Sequence, residues 1–241
     1  GRMALGAQRK IDTALALVEQ HVDTAALLER LRLPRLSVTT PQMFEYQLID
    51  RARSAPRHIV LPEGEDDRIL RAAGRVLQRH IAELTILGDE PAVRQRAAQL
   101  GVDISGAQII DPRTSELGER FAEEYHKLRQ HKGMTLDRAT EIMRDVSYFG
   151  TMMVHFGLAD GMVSGAAHTT AHTIRPSFEI IKTEPGVSTV SSIFLMCLSD
   201  RVLAYGHCAV VPAHTADQLP DIAISPSATA QKSGIEPRAG M

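Results

Sequence analysis

Residues 58–100 read HIVLPEGEDDRILRAAGRVLQRHIAELTILGDEPAVRQRAAQL, and their rhythm decides the fold. His58 to Leu61 is a short apolar run ended by Pro62-Glu63-Gly64, the pattern of a strand. Residues 66–79 then place Ile69, Leu70, Ala73, Val76 and Leu77 on one helical face. Glu83 to Leu87 is a second strand stopped by Gly88, and Pro91 to Leu100 a second helix. Ala107 to Ile110 adds a third strand before Asp111-Pro112. Short apolar strands alternating with amphipathic helices predict an α/β fold, with a parallel sheet covered on both faces.

Downstream, the spacing predicts helices at about 114–130, 135–144 and 146–157, a strand at Met162 to Ser164 and a helix over 169–182. Ser191 to Leu198 and Val202 to Val211 read as a hairpin turning at Ser199-Asp200-Arg201, with a last helix over 215–231. Upstream, Pro41 follows Thr40 as the first residue of a helix reaching about Arg53. Residues 7–32 read as two helices with a cap at Asp23-Thr24, and 34–40 as a proline-bounded linker. The expected division is therefore 1–33, 34–40 and 41–241.

Composition excludes several classes. With 44% hydrophobic and 23% charged residues, the chain is too apolar to be disordered. A net charge of −2 provides no basic surface, and 4% aromatics without tryptophan provide no stacking platform, so no nucleic-acid partner is expected. Cys197 and Cys208 cannot build a disulfide framework or a four-ligand zinc site by themselves. The longest apolar run, Ile193 to Leu198, is far short of the ~18–20 residues that span a bilayer. GRMALGAQRK lacks the apolar core of a secretory signal, so a cytoplasmic protein with no membrane partner is expected.

In open α/β sheets ligands bind beyond the carboxyl ends of the strands. That rule selects LPEGEDD (61–67), LGDE (87–90), IDP (110–112) and VSGAAHTT (163–170). In the last, small residues allow backbone to approach a ligand, Ser164, Thr169 and Thr170 offer hydroxyls, and a helix N-terminus follows. Arg175 in that helix can bind phosphate bidentately. The competing reading is a plain strand–loop–helix joint with a capping threonine. No Walker or GxGxxG pattern is present. His168 and His172 have a metal-compatible spacing, but no glutamate of an HExxH motif accompanies them, and no metal is expected. Arg129 in HKLRQHKG (126–133) either complements a helix dipole or binds an anion. Glu63, Glu65, Asp66 and Asp67 open a helix, and helix electrostatics competes there with paired-carboxylate catalysis.

At these residues the sequence resembles phosphate acetyltransferase (phosphotransacetylase). The resemblance is carried by IVLPEGEDDRILRAA (59–73), LTILGD (84–89), LRQHKGMTLDRATEIMRDVSYFGTMMV (128–154), ADGMVSGAAHTTAHTIRPSFEIIKT (159–183), YGHCAVVP and TADQLPDIAI (205–224). Residues 7–32 resemble the segment before the catalytic domain in long, multi-domain members. The family resemblance implies reversible acetyl transfer between coenzyme A and phosphate through a ternary complex, with CoA a substrate and no cofactor. It implies a three-layer αβα sandwich like that of the isocitrate and isopropylmalate dehydrogenases, here with an incomplete second domain. It also implies a homodimer or larger assembly. Arg129 and Arg175 match the family's substrate-binding arginines, and Ser164, His168 and Thr169 lie in the matched loop.

The resemblance also places the family's serine–arginine pair and its aspartate base after the stretch GIEPRAGM (234–241). The base is thus expected beyond Met241, and no catalytic residue is assigned within the sequence. The expectation is a chain truncated at both ends and inactive alone. Departures from the family pattern are His207, Val211, Pro220, Pro226, Ala239-Gly240, and His80 in place of a glycine at a helix end. A non-catalytic acetyl phosphate or CoA-binding module, or a self-associating half-domain, is the alternative.

Overall fold

A computed structural model describes residues 13, 15–17, 20–23, 26, 39–183, 185, 190, 192–206, 208 and 219–235. Four strands form one parallel sheet: β1 (His58–Leu61), β2 (Glu83–Leu87), β3 (Gln108–Ile110) and β4 (Gly161–Met162), in the order β3-β2-β1-β4. The helices are α1 (Pro41–Ser54), α2 (Asp67–Gln78), α3 (Glu90–Gln99), α4 (Leu117–Arg129), α5 (Leu136–Ile142), α6 (Val146–His155), α7 (Thr170–Ile180) and α8 (Leu219–Lys232). A 3-10 turn, Gln130–Lys132, follows α4.

The two-residue period of the strands divides the core. Leu61, Leu84, Ile86 and Ile109 pack with Leu70, Ala73, Val93 and Ala97 of α2 and α3. Val60 and Leu87 point the other way, into a cluster with Phe121, Tyr125, Ala139, Phe149 and Met152 of α4, α5 and α6. Helices thus cover both faces, as the alternating pattern predicts. Each helix begins on a side-chain cap where the sequence supplies one: Thr40 for α1, Asp66 for α2, Asp89 for α3, Thr135 for α5, Asp145 for α6 and Thr169 for α7.

Two expectations change. β4 is Gly161–Met162, not Met162 to Ser164: only Gly161 and Met162 pair with β1, opposite Ile59 and Val60. After Val163, whose N–H still reaches the Val60 carbonyl, the chain turns away from the sheet. The hairpin is shorter than expected, with β5 (Ile193–Cys197) antiparallel to β6 (Val202–Gly206). Pro220 and Pro226 both lie within α8, Leu219–Lys232.

The two helices expected over 7–32 fall mostly outside the described residues. Thr13, Leu15 to Leu17, Gln20, His21 and Ala26 are helical, and the Ala26 N–H donates to Asp23 Oδ1 at 2.9 Å. The linker is described only at Thr39 and Thr40. His207, Val211, Ala239-Gly240 and Met241 lie outside the described residues. The expectation of a base beyond Met241 therefore meets no structural observation.

Candidate active site

The strand order reverses beside β1. The chain proceeds from β1 to β2 and β3 on one side, then returns to place β4 on the other. The loops leaving β1 and β4 therefore diverge at a topological switch point, where α/β proteins build ligand crevices. Those two loops carry Glu63 and the segment Ser164 to Thr169.

Glu63 is the centre of the arrangement. Its side chain is 1% exposed. Oε2 accepts the N–H groups of Gly165 at 3.0 Å and Ala166 at 2.8 Å. Oε1 accepts those of Ala167 at 2.7 Å and His168 at 2.9 Å, and lies 2.9 Å from His168 Nδ1. Burial alone raises a carboxyl pKa, but the hydrogen bonds from Ala167, Ala166 and His168 outweigh it and bring Glu63 down to about 2. Arg68 braces the same loop through the Ala166 carbonyl. Gly165 has φ +114°, a conformation that a side chain would strain.

Glu63 thus holds the four amides of 165–168, and the small-residue loop turns its backbone N–H groups toward this carboxylate. Helix electrostatics accounts for Asp66, which caps α2 through the Arg68 N–H at 2.8 Å, and Asp67 pairs with Arg96 at 2.6 Å. It does not account for Glu63, whose partners lie about a hundred residues on. The amides left for a ligand are those of Thr170 and Ala171, which have no protein partner among the described residues. The His172 N–H is taken by Thr169 Oγ1 at 3.3 Å.

His168 and His172 are stacked, with ring centroids 4.5 Å apart and planes at 24°. They do not share a helix, since Thr169 between them is the cap of α7. Each ring has its own carboxylate: Glu63 for His168, and Asp145 Oδ2 for His172 Nε2 at 2.8 Å. Ser147 Oγ lies 3.4 Å from His172 Nδ1, and Ser164 Oγ lies 3.5 Å from Thr173 Oγ1. Among the described residues no group of three or more His, Cys, Asp or Glu side chains is placed to hold a metal.

Arg129 ends α4 and reaches Glu179 of α7 at 3.5 Å, leaving its Nε buried without a partner. Tyr125 and Tyr148 donate their hydroxyls to Glu179 Oε2 at 2.6 and 3.0 Å. Burial and then the bond to Glu179 push Tyr148 up to about 12, while the nearby Arg175 opposes the shift; Tyr125 is raised further still by the same two causes. Arg175 lies one turn before Glu179, so both arginines flank the Tyr148–Glu179 pair. Arg129 is neutralised there. Arg175 is exposed and has no carboxylate partner among the described residues. Sequence reasoning misses Asp145, Glu179, Tyr125 and Tyr148, each of which acts across the fold with no local signal.

The parallel sheet, with a braced loop at its switch point, places the chain among the α/β proteins whose switch points form ligand crevices. Residues 43–241 match the family described as Phosphate acetyl/butaryl transferase, and the chain belongs to that family. The phosphate acetyltransferase of Nitratidesulfovibrio vulgaris is 52% identical over 241 residues, covering 100% of this chain and 34% of the relative. That of Corynebacterium glutamicum is 55% identical over 197 residues, covering 82% and 60%. Among solved structures, a phosphotransacetylase from Streptococcus pyogenes matches with TM-score 0.77 and 37% identity, over 82% of this chain and 60% of that one. The EutD phosphotransacetylase from Staphylococcus aureus matches with TM-score 0.74 and 40% identity, over 80% and 58%. The chain spans about a third of the length of the Nitratidesulfovibrio relative. No helix among the described residues is long and apolar enough to cross a membrane.

Proposed function

We propose that the protein transfers an acetyl group reversibly between coenzyme A and phosphate, and that the switch-point site binds the phosphate end. In this reaction an oxygen of hydrogen phosphate bonds to the acetyl carbon and the carbon–sulfur bond breaks. The proton of the phosphate ends on the CoA thiol. The supporting observation is Arg175, an unpaired guanidinium on the helix that starts from the Ser164–Thr169 loop. An acyl phosphate is a dianion, and a bidentate arginine beside helix N–H groups is a chemically matched partner. Ser164, His168 and Thr169 line the same loop, and Arg129, set by Glu179, supplies the second cation. No residue up to Met241 is given the role of thiol base.

The wider reading follows the family resemblance: a dehydrogenase-like αβα architecture with a second lobe begun by β5, β6 and α8, a homo-oligomer, a cytoplasmic setting, and residues 1–33 belonging to a preceding domain. The test is acetyl phosphate formation from acetyl-CoA and phosphate, followed by 31P NMR, for the 241-residue chain and for a chain of the relatives' length. Arg175→Ala is expected to raise KM for phosphate at least about tenfold with little change for acetyl-CoA. Phosphate binding without turnover in the longer chain would sink the catalytic reading and favour a binding module.

A further inference from the structure

We infer that Glu63 makes the site selective for a protonated oxyanion, by fixing His168 as a hydrogen-bond acceptor. The inference deepens the acetyl-transfer reading and rests on it for the identity of the anion.

An ionised carboxylate can only accept hydrogen bonds. All four backbone groups around Glu63 are N–H donors, so its oxygens already face donors alone. His168 Nδ1, 2.9 Å from Oε1, must then be a donor as well. A neutral imidazole with hydrogen on Nδ1 carries its lone pair on Nε2. The ring cannot turn over to exchange the two nitrogens, because it is stacked on His172, which Asp145 and Ser147 hold in turn. Nε2 of His168 has no partner among the described residues, and the side chain is 29% exposed.

The start of α7 therefore offers two kinds of group. Donors are the N–H groups of Thr170 and Ala171, with the exposed guanidinium of Arg175 further along the same helix. Nε2 of His168 is an acceptor that cannot rotate into a donor, unlike the neighbouring serine and threonine hydroxyls. Hydrogen phosphate at neutral pH has charged oxygens for the donors and one P–OH for the acceptor. Sulfate has no hydrogen to give, and faces the Nε2 lone pair with a lone pair of its own. An unpaired buried or half-buried acceptor is costly, which turns the missing hydrogen into discrimination. Acetyl phosphate as a dianion also lacks the P–OH, so the same contact favours hydrogen phosphate over the acylated product. Glu63 touches no ligand in this scheme and is a positioning residue; His168 is the contact.

The experiment uses the 241-residue protein with inorganic phosphate and inorganic sulfate as probes, by calorimetry, together with long-range 1H–15N NMR of the histidine rings. The wild type is expected to show His168 with hydrogen on Nδ1 and to bind phosphate about tenfold or more tighter than sulfate. Glu63→Gln is expected to lose the single tautomer and reduce that ratio about tenfold, since a glutamine amide turns a donor toward the loop. An Nε2-protonated His168 in the wild type overturns the inference, as does an unchanged ratio in a folded Glu63→Gln protein or the absence of phosphate binding. If Glu63→Gln does not fold, His168→Phe keeps the four backbone bonds and must also reduce the ratio; an unchanged ratio there is equally fatal. Phosphate selectivity without acetyl phosphate formation would remove the catalytic reading and leave this inference standing. Acetyl transfer with an unchanged ratio would do the reverse.

Discussion

Glu63 and His168 stand 105 positions apart and meet at 2.9 Å across the switch point of the sheet. The contact joins the first loop of the parallel sheet to the last. It ties the strand order directly to the position of the candidate site, because the two loops are neighbours only if β4 returns beside β1.

Acid stability follows from the hydrogen bonds around Glu63, those from the Ala167, Ala166 and His168 amides before that of the His168 ring. A carboxyl held at about 2, below its ordinary value of 4.5, contributes stability that is fully present above the ordinary value and is lost as pH falls toward 2. The depression corresponds to roughly 2–4 kcal/mol by linkage. Asp66 is also lowered, to about 2, by its hydrogen bonds with Arg68, so part of the acid limb belongs to α2. Urea denaturation from neutral pH down into the acid range is expected to show a flatter acid limb for Glu63→Gln than for the wild type. Parallel limbs would contradict the assignment.

The second contact across the fold sets Arg129. Tyr125 is 1% exposed and gives its hydroxyl to Glu179, which also takes the Tyr148 hydroxyl and faces Arg129. Tyr125→Phe is expected to lower stability by about 1–2 kcal/mol, read from the urea midpoint, because the half-buried Glu179 carboxylate loses a donor. Glu179→Gln is expected to cost more in phosphate affinity than in stability, since it frees the Arg129 side chain. The opposite order would show that Glu179 serves packing alone.

Much of this is legible in the sequence, for identifiable reasons. The strands and helices from Pro41 to Ile180 follow from apolar periodicity and caps, both local properties. VSGAAHTT is legible as a loop that ends on a capped helix, since Thr169 is the cap of α7. The role of Glu63 is not legible: within LPEGEDD it looks like three other acidic residues, and only the return of β4 separates it from them. The spacing of His168 and His172 is compatible with a metal although none is expected, and it does not reveal that each ring finds a carboxylate from a distant segment. The apolar pattern starts β4 one residue too late: among the described residues β4 pairs with β1 alone, and after Val163 the chain leaves the sheet.

His80 offers a stabilising change. It sits just past α2 with φ 52°, its N–H bonded to Leu77 and that of Ile81 to Val76, the pattern of a glycine-type helix end. A side chain in this conformation costs about 1–2 kcal/mol, offset in part by the greater freedom of glycine in the unfolded chain. His80→Gly is therefore expected to raise stability by about 0.5–1 kcal/mol without altering phosphate binding, because α2 ends at the opposite end of the strands from Glu63. A lower thermal midpoint would count against the reading.

Gly64 is expected to behave in the opposite way. A Cβ there would meet the Leu87 carbonyl oxygen at 2.6 Å and Ile86 Cγ2 at 2.7 Å, and the Gly64 N–H donates to the same carbonyl at 3.2 Å. The obstacle is backbone at the end of a central strand, which cannot move without loosening β2. Gly64→Ala is expected to cost about 1–3 kcal/mol by overpacking. Because Glu63 is its neighbour, the displaced loop also carries the carboxylate away from the four amides it holds, so phosphate affinity falls with stability. Gly118, in the first turn of α4, is the control: its nearest obstacle is the Pro112 carbonyl at 3.9 Å. Alanine there gains helix propensity, and Gly118→Ala is expected to be neutral or stabilising by up to about 1 kcal/mol. Equal losses in the two variants would mean that the close approach of the β1 loop to β2 does not matter to the site. A loss confined to Gly64→Ala, in both denaturation and phosphate titration, ties the packing of that loop to the binding of the anion.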